Sequence, residues 1–151
     1  PLNPADFDIH QRGTIMDRIK IKGGFMADPG LKLNHVNHVV TAVKDAEGSL
    51  AFYRDFLGIK RIQSQVDNPN IIWLQLPSGV MLHLIEDAEA PAHPSNIHHA
   101  FEVENLDTAR SAVEGNGIEI ERSGVRKDGQ RSFFMRDPDG NLVELCTPSG
   151  F

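Results

Sequence analysis

The clearest pattern along the chain is a series of short segments in which apolar and polar residues alternate, as in strands that bury one face. It predicts eight strands, within 37–45, 60–65, 71–76, 80–86, 97–105, 118–122, 131–136 and 141–146. Two further segments, 45–58 and 105–117, carry apolar residues at helical spacing and directly follow the first strand of each half. The chain therefore predicts two successive strand–helix–strand–strand–strand units.

Both helical segments carry residues that favour helix ends. Asp45 and Asn105 stand where a side-chain oxygen can accept a hydrogen bond from the first turn. Gly58 and Gly117 stand where a helix commonly ends in a left-handed residue. We expect the helices to begin after the two capping residues and to end at the glycines.

The two halves also align with each other, as a duplicated structural unit would. The stretch "LPSGVMLHL" (76–84) matches "DPDGNLVEL" (137–145) at its proline, glycine and final leucine. Upstream, "NHVVTAVKD" (37–45) matches "IHHAFEVEN" (97–105). A proline- and alanine-rich linker, 87–95, separates the halves.

Composition and charge narrow the class of protein. The 151 residues, 40% hydrophobic and 24% charged, suit one domain. A net charge of −6 with scattered Lys and Arg argues against nucleic-acid and anionic-membrane partners, and the apolar runs are too short for a membrane span. The N-terminus lacks a secretory pattern, and Cys146 is the only cysteine, so we expect a reducing, cytoplasmic setting.

Four polar residues lie at corresponding places on otherwise apolar strands: His38 and His83 in the first half, His98 and Glu144 in the second. In three of the four strands, alternation puts the bulkier apolar residues on the opposite face, so we expect the four to line a concave surface where the halves meet. Sheltering an unpaired polar group costs about 1–3 kcal/mol, and a charge costs more. Taken alone, Glu144 would simply meet water on a half-exposed strand; the repeat and the alternation together favour metal ligands.

Three imidazoles and one carboxylate suit Zn, Fe(II), Ni, Co or Mn, whereas Mg or Ca would need more oxygen. The sequence thus predicts one divalent metal ion, with His83 either a ligand or an acid/base group. His35 competes with His38 because both lie on the same approach. His35 and the remaining histidines are nevertheless interpreted as structural or surface residues: His10, His35, His93 and His99.

The stretches "LNHVNHVVTAVKDAEGSLAFYRDFLG", "HHAFEVEN" and "RSFFMRDPDGNLVEL" resemble the vicinal oxygen chelate superfamily. That superfamily includes glyoxalases, methylmalonyl-CoA epimerases, fosfomycin-resistance thiol transferases, bleomycin-binding proteins and extradiol dioxygenases. The resemblance implies an α+β fold in which two βαβββ modules, 33–86 and 97–147, form a cupped mixed sheet around a central metal. It implies a single glyoxalase-like domain at 33–151 and leaves 1–32 as an N-terminal extension of unknown role.

Position by position, the resemblance implies a first-strand ligand at His38 rather than His35 and a fifth-strand ligand at His98 rather than His99. It implies Glu144 as the eighth-strand carboxylate ligand. The fourth-strand position departs from the family, since His83 stands where glyoxalases have glutamate and epimerases glutamine. His83 therefore leaves two chemistries open.

The leading hypothesis is glyoxalase-type lyase or isomerase chemistry on a small molecule. The metal would bind adjacent substrate oxygens, acidify a C–H next to a carbonyl and stabilise the enediolate. Glu144 would shuttle the proton, with His83 as ligand or alternate base. The resemblance also implies a homodimer.

Two alternatives remain. An Fe(II) extradiol dioxygenase would use His38, His98 and Glu144 as its metal triad and His83 as acid/base. Against it, Phe134 stands where those enzymes place a tyrosine. A non-catalytic protein that binds a small molecule or antibiotic is the other alternative, and the intact ligand set argues against it.

Few residues in the sequence indicate which substrate is bound. Four arginines are candidates for contacting an anionic substrate, although a solvated position is the better interpretation of each: Arg61, Arg126, Arg131 and Arg136. The glycine-bounded polar loop 124–131 could cover the site, and loops commonly carry specificity.

Overall fold

The computed structural model describes residues 34–90 and 96–150. The predicted extension 1–32, part of the linker, His10 and His93 lie outside the described residues. The strands are β1 (His38–Val43), β2 (Lys60–Ile62), β3 (Ile71–Gln75), β4 (Met81–Glu86), β5 (His98–Glu102), β6 (Arg122–Val125), β7 (Arg131–Arg136) and β8 (Leu142–Cys146). The helices are α1 (Ala46–Leu50), which continues as a π-helical segment (Ala51–Phe56), and α2 (Leu106–Gly115).

The strands form two four-stranded mixed sheets, one for each half of the chain. Their orders are β1-β4-β3-β2 and β5-β8-β7-β6. In each sheet the first strand pairs in parallel with the fourth, and the other neighbours are antiparallel. The prediction of an α+β fold made of two βαβββ modules is confirmed, with the strands divided between two sheets.

The helix ends follow the sequence signals. The side chain of Asp45 accepts a hydrogen bond of 3.0 Å from the amide of Gly48, and Asn105 accepts one of 2.9 Å from Thr108. Gly58 has a φ of +73° at the end of the first helical segment, a value that L side chains rarely adopt. Within that segment, the π-helical turns give a hydrogen bond of 2.9 Å from the Leu57 amide to the Phe52 carbonyl.

One predicted strand, 118–122, is wrong, because β6 begins only at Arg122. Its register against β7 pairs Arg122 with Phe134 and ends where the turn 126–130 reverses the chain. Ile118 and Ile120 instead lie partly buried against the core. Residues 118–121 therefore connect α2 to β6 and pack against the core, although their alternation predicted a strand.

The modules are joined through the turn "DPDG". Asp137 is 5% exposed, and its Oδ2 accepts a hydrogen bond of 2.8 Å from the Tyr53 hydroxyl of the first module. Asn141 Nδ2 donates across the modules to the backbone oxygen of Ala42, at 3.0 Å. No helix among the described residues is long and apolar enough to cross a membrane.

Candidate metal and substrate site

The first pair of predicted ligands lies on the first sheet. His83 is 8% exposed, and its ring stacks on Trp73, with centroids 4.2 Å apart, and on His38, at 4.6 Å. Trp73 is the cross-strand partner of His83 in the β3–β4 hairpin. Antiparallel register therefore puts a flat apolar ring beside the buried imidazole.

The nitrogen atoms of this pair suit a cation. His83 Nε2 is buried without a hydrogen-bond partner, and burial, reinforced by nearby His38, lowers the pKa of His83. Its ring is therefore neutral near pH 7 and can offer a lone pair. His38 Nδ1 lies 3.0 Å from Asn37 Oδ1, which accepts its proton and leaves Nε2 as the acceptor. Both imidazoles thus fit a divalent metal ion.

The second pair lies on the second sheet. Glu144 is only 1% exposed, so the interpretation that it meets water on a half-exposed strand is wrong. Its Oε2 lies 2.9 Å from His98 Nε2, and its Oε1 accepts a hydrogen bond of 3.2 Å from Arg126. His98 Nδ1 lies 3.2 Å from the backbone oxygen of Asn96. Burying a charged carboxylate costs free energy unless positive or hydrogen-bonding groups neutralise it. A cation bound at Glu144 would neutralise it too, so this pair also fits a cation site.

The four predicted residues come together as two pairs and not as one cluster. Within 34–90 and 96–150, no group of three or more His, Cys, Asp or Glu side chains is placed to hold a metal ion. Each pair is built within its own sheet, and Val40, on the His38 face of β1, remains 45% exposed. The expected meeting of all four in one hollow is therefore not seen within this single chain, and metal binding stays a prediction.

The competing histidines lie elsewhere. His99 Nδ1 lies 3.1 Å from Thr41 Oγ1, on the faces of β5 and β1 opposite His98 and His38. His35 is exposed just before β1. These positions favour His38 and His98 as the candidate ligands.

Several residues at the site were not singled out from the sequence or were given another role. Trp73 was absent from the predicted site, although the register of the predicted 71–76 and 80–86 hairpin places it opposite His83. Phe134, the cross-strand partner of Glu144, meets the His98 ring edge-on at 5.2 Å. Arg126 was interpreted as solvated, but it pairs with Glu144. The other candidate arginines pair with surface carboxylates: Arg61 with Glu47, Arg131 with Asp107 and Arg136 with Glu121.

An apolar cavity of about 350 Å³ lies on the helical side of the modules, lined among others by Phe56, Phe101 and Val113. Glu102 is the single ionisable residue in its lining, and none of the four predicted ligands contributes to it. Neither metal nor acid–base chemistry suits such a lining, so the candidate chemistry lies on the open sheet faces.

Comparison with known proteins agrees with the geometry. Residues 35–145 match the family model of the Glyoxalase/Bleomycin resistance protein/Dioxygenase superfamily. The chain is 31% identical over 131 residues to ethylmalonyl-CoA/methylmalonyl-CoA epimerase of Cereibacter sphaeroides, covering 75% of this chain and 97% of that one. It is 28% identical to metallothiol transferase FosB of Bacillus licheniformis, with coverages of 80% and 79%.

Solved structures share the fold. Lactoylglutathione lyase from Agrobacterium tumefaciens superposes with a TM-score of 0.64 at 22% identity, covering 77% of this chain and 95% of that one. A glyoxalase family protein from Bacillus anthracis gives a TM-score of 0.68 at 22% identity, with coverages of 79% and 98%. Two βαβββ modules and the match over 35–145 lead to one conclusion: the chain belongs to the Glyoxalase/Bleomycin resistance protein/Dioxygenase superfamily.

Proposed function

We propose that this protein is a divalent-metal-dependent enzyme that carries out glyoxalase-type lyase or isomerase chemistry on a small molecule. Four residues would hold the ion: His38, His83, His98 and Glu144. The observation that carries the proposal is Glu144, a 1% exposed carboxylate held 2.9 Å from His98 Nε2 on an apolar strand. The buried, unpartnered Nε2 of His83 supports it, because a bound cation would satisfy that nitrogen.

A homodimer would unite the two pairs. Each pair lies on the open face of its own sheet, where Val40 and Ala100 are exposed. In such a dimer the first sheet of one copy would face the second sheet of the other. That arrangement would bring His38 and His83 of one copy to His98 and Glu144 of the other. We therefore propose the dimer as the active form, and size measurement in solution with and without Zn²⁺ tests it.

A divalent ion bound there (Zn, Fe(II), Ni, Co or Mn) would polarise adjacent oxygens of the substrate. Glu144 would accept a proton from the carbon next to the substrate carbonyl and return it to the neighbouring carbon. In the metal-free protein His98 Nε2 holds the carboxylate at this place, and a bound ion would take over that nitrogen and free the carboxylate to move the proton. If His83 does not bind the ion, its neutral ring is the alternate base. The Trp73 ring would exclude water beside His83, and the Phe134 ring would do so beside His98.

The decisive experiment compares Co²⁺ binding in the wild type with binding in Glu144→Gln. Loss of a ligand carboxylate is expected to weaken binding by at least about 10–100-fold. Glu102→Gln is the matched control, because it removes an exposed carboxylate from the neighbouring strand. Isomerisation of a methylglyoxal–thiol adduct should fall with Glu144→Gln alone. Equal Co²⁺ affinity in all three proteins would contradict the metal site.

A dioxygenase is the second candidate, favoured by one observation. His83 is buried, neutral and stacked on His38, as an acid/base group beside a triad of His38, His98 and Glu144 would be. Anaerobic loading with Fe(II), followed by oxygen uptake on catechols, distinguishes it from the lyase. Protein that is consistently metal-free by elemental analysis would instead favour the non-catalytic binding function.

A cytoplasmic location stays a proposal that rests on Cys146 being the only cysteine.

A further inference from the structure

The buried carboxylate of Glu144 has an exposed partner. Its Oε1 receives a hydrogen bond of 3.2 Å from Arg126 Nη2, while His98 lies against Oε2. The Arg126 side chain is 59% exposed, against 1% for Glu144. One oxygen of a buried anion is therefore neutralised by a guanidinium that reaches it from solvent.

The backbone that carries Arg126 does not depend on this contact. The turn between β6 and β7 is closed by a hydrogen bond of 2.8 Å from the Arg126 amide to the Gln130 carbonyl, and by one of 3.0 Å from the Gly129 amide to the Arg126 carbonyl. Asp128 also accepts from the Gln130 amide, at 3.0 Å. The guanidinium can therefore leave Glu144 while the backbone of Arg126 stays in place beside the site.

A divalent cation and this guanidinium compete for the same carboxylate. A cation on Oε2 would reduce the negative charge that attracts the guanidinium on Oε1 and would also repel that guanidinium directly. A cation bound to Glu144 would therefore displace Arg126. The displaced guanidinium group has the geometry to form two parallel hydrogen bonds to the oxygens of a carboxylate or phosphate group.

A second arginine, Arg122, lies close to Glu144 at the start of β6. The guanidinium carbon of Arg122 lies 4.1 Å from the ring centroid of Phe134, which is the cross-strand partner of Glu144. Arg126 follows the end of β6, and its guanidinium reaches Glu144 as well. One guanidinium thus lies over the ring next to Glu144, and the other bonds Glu144 itself.

We propose that Arg126 is a tethered counter-ion, which neutralises Glu144 in the metal-free protein and binds an oxyanion of the substrate once a divalent cation takes that carboxylate. The inference rests on the proposed metal site and adds the substrate class, molecules that bear a carboxylate or phosphate group. Arg126 is then a specificity-determining residue, and Arg122 assists it.

The first test measures Co²⁺ affinity in the wild type, Arg126→Gln, Arg126→Lys and the matched control Arg131→Gln. Arg131 lies five residues away and pairs with Asp107 on the surface. Removing the competing charge should tighten Co²⁺ binding in Arg126→Gln by about fivefold or more, since the competitor is a charge-assisted hydrogen bond. Arg126→Lys and Arg131→Gln should stay within about twofold of the wild type, because both keep a cation beside Glu144.

The second test titrates malonate and inorganic phosphate into the Zn²⁺-loaded proteins. Arg126→Gln should bind at least one of them about tenfold more weakly than Arg131→Gln does, as expected for a lost charge-assisted contact. Which probe loses more affinity distinguishes a carboxylate from a phosphate substrate. Unchanged Co²⁺ affinity or unchanged oxyanion affinity in Arg126→Gln would overturn this inference and leave the metal site standing. If neither the wild type nor any variant bound Co²⁺, the proposed function would be overturned as well.

Discussion

The hydroxyl of Tyr53 donates a hydrogen bond of 2.8 Å to Oδ2 of Asp137, and this contact links the helix of the first module to the turn before β8 of the second. Oδ1 of the same carboxylate accepts from the amides of Asp139, at 2.9 Å, and Asn141, at 2.7 Å. Asp137 therefore both shapes its own turn and joins the modules. The turn leads directly into the strand that carries Glu144.

Replacing Tyr53 with phenylalanine should destabilise the protein by about 1–3 kcal/mol, because a buried carboxylate loses a partner without any change in apolar packing. Urea unfolding followed by circular dichroism measures the change in the free energy of unfolding. A double-mutant cycle with Asp137→Asn isolates the contact, since the second substitution should cost less once the hydroxyl is gone. Additive effects of the two substitutions would show that the pair is not coupled.

The ionisation of Tyr53 should be strongly suppressed. Burial, followed by the charge of Asp137 and their hydrogen bond, raises the pKa of the phenol well above its usual range. The folded state keeps this proton where the unfolded state loses it, so stability should fall as the pH rises above about 10. Tyr53 is the only tyrosine, so absorbance at 295 nm reports it alone. Native protein should show no phenolate near pH 10, whereas protein in urea should titrate there; a native midpoint near 10 would contradict the burial.

The stack of Trp73 on His83 offers an optical probe of the first pair. Trp73 is the only tryptophan, and its ring centroid lies 4.2 Å from that of His83. Co²⁺ should quench its fluorescence when His83 is a ligand, whereas closed-shell Zn²⁺ should quench it much less. His83→Gln should lose most of the Co²⁺ effect, and His99→Gln should keep it. Equal quenching in both variants would place the ion away from β4.

Two glycines provide a matched test of the helix ends. Gly58 has a φ of +73°, and a Cβ there would meet nothing within 4 Å, so Gly58→Ala acts through backbone strain alone. We expect it to cost about 1–2 kcal/mol. Gly115, the last residue of α2, also has open space around it and no positive φ. Gly115→Ala should therefore stabilise by about 0.4–1 kcal/mol, and thermal unfolding of both variants reports the difference in sign.

Much of the fold was predictable because its signals are local. Alternation predicted seven strands close to their observed positions, and the caps at Asp45 and Asn105 are present as expected. The prediction failed at 118–122, where core packing of Ile118 and Ile120 replaced a strand ladder. The role of Arg126 was missed because its partner, Glu144, belongs to another element, and nothing local distinguishes it from a solvated arginine.

The sequence by itself determined which side chains face away from the helices, because a period of two residues and a capped helix depend only on neighbours along the chain. Tertiary structure decided what those side chains meet. Strand register put Trp73 against His83 and Phe134 beside Glu144, and the β6–β7 turn carried Arg126 to the carboxylate. It also divided the strands between two sheets and so left the four predicted ligands as two pairs. Such contacts depend on packing between elements far apart in sequence, which no local pattern specifies.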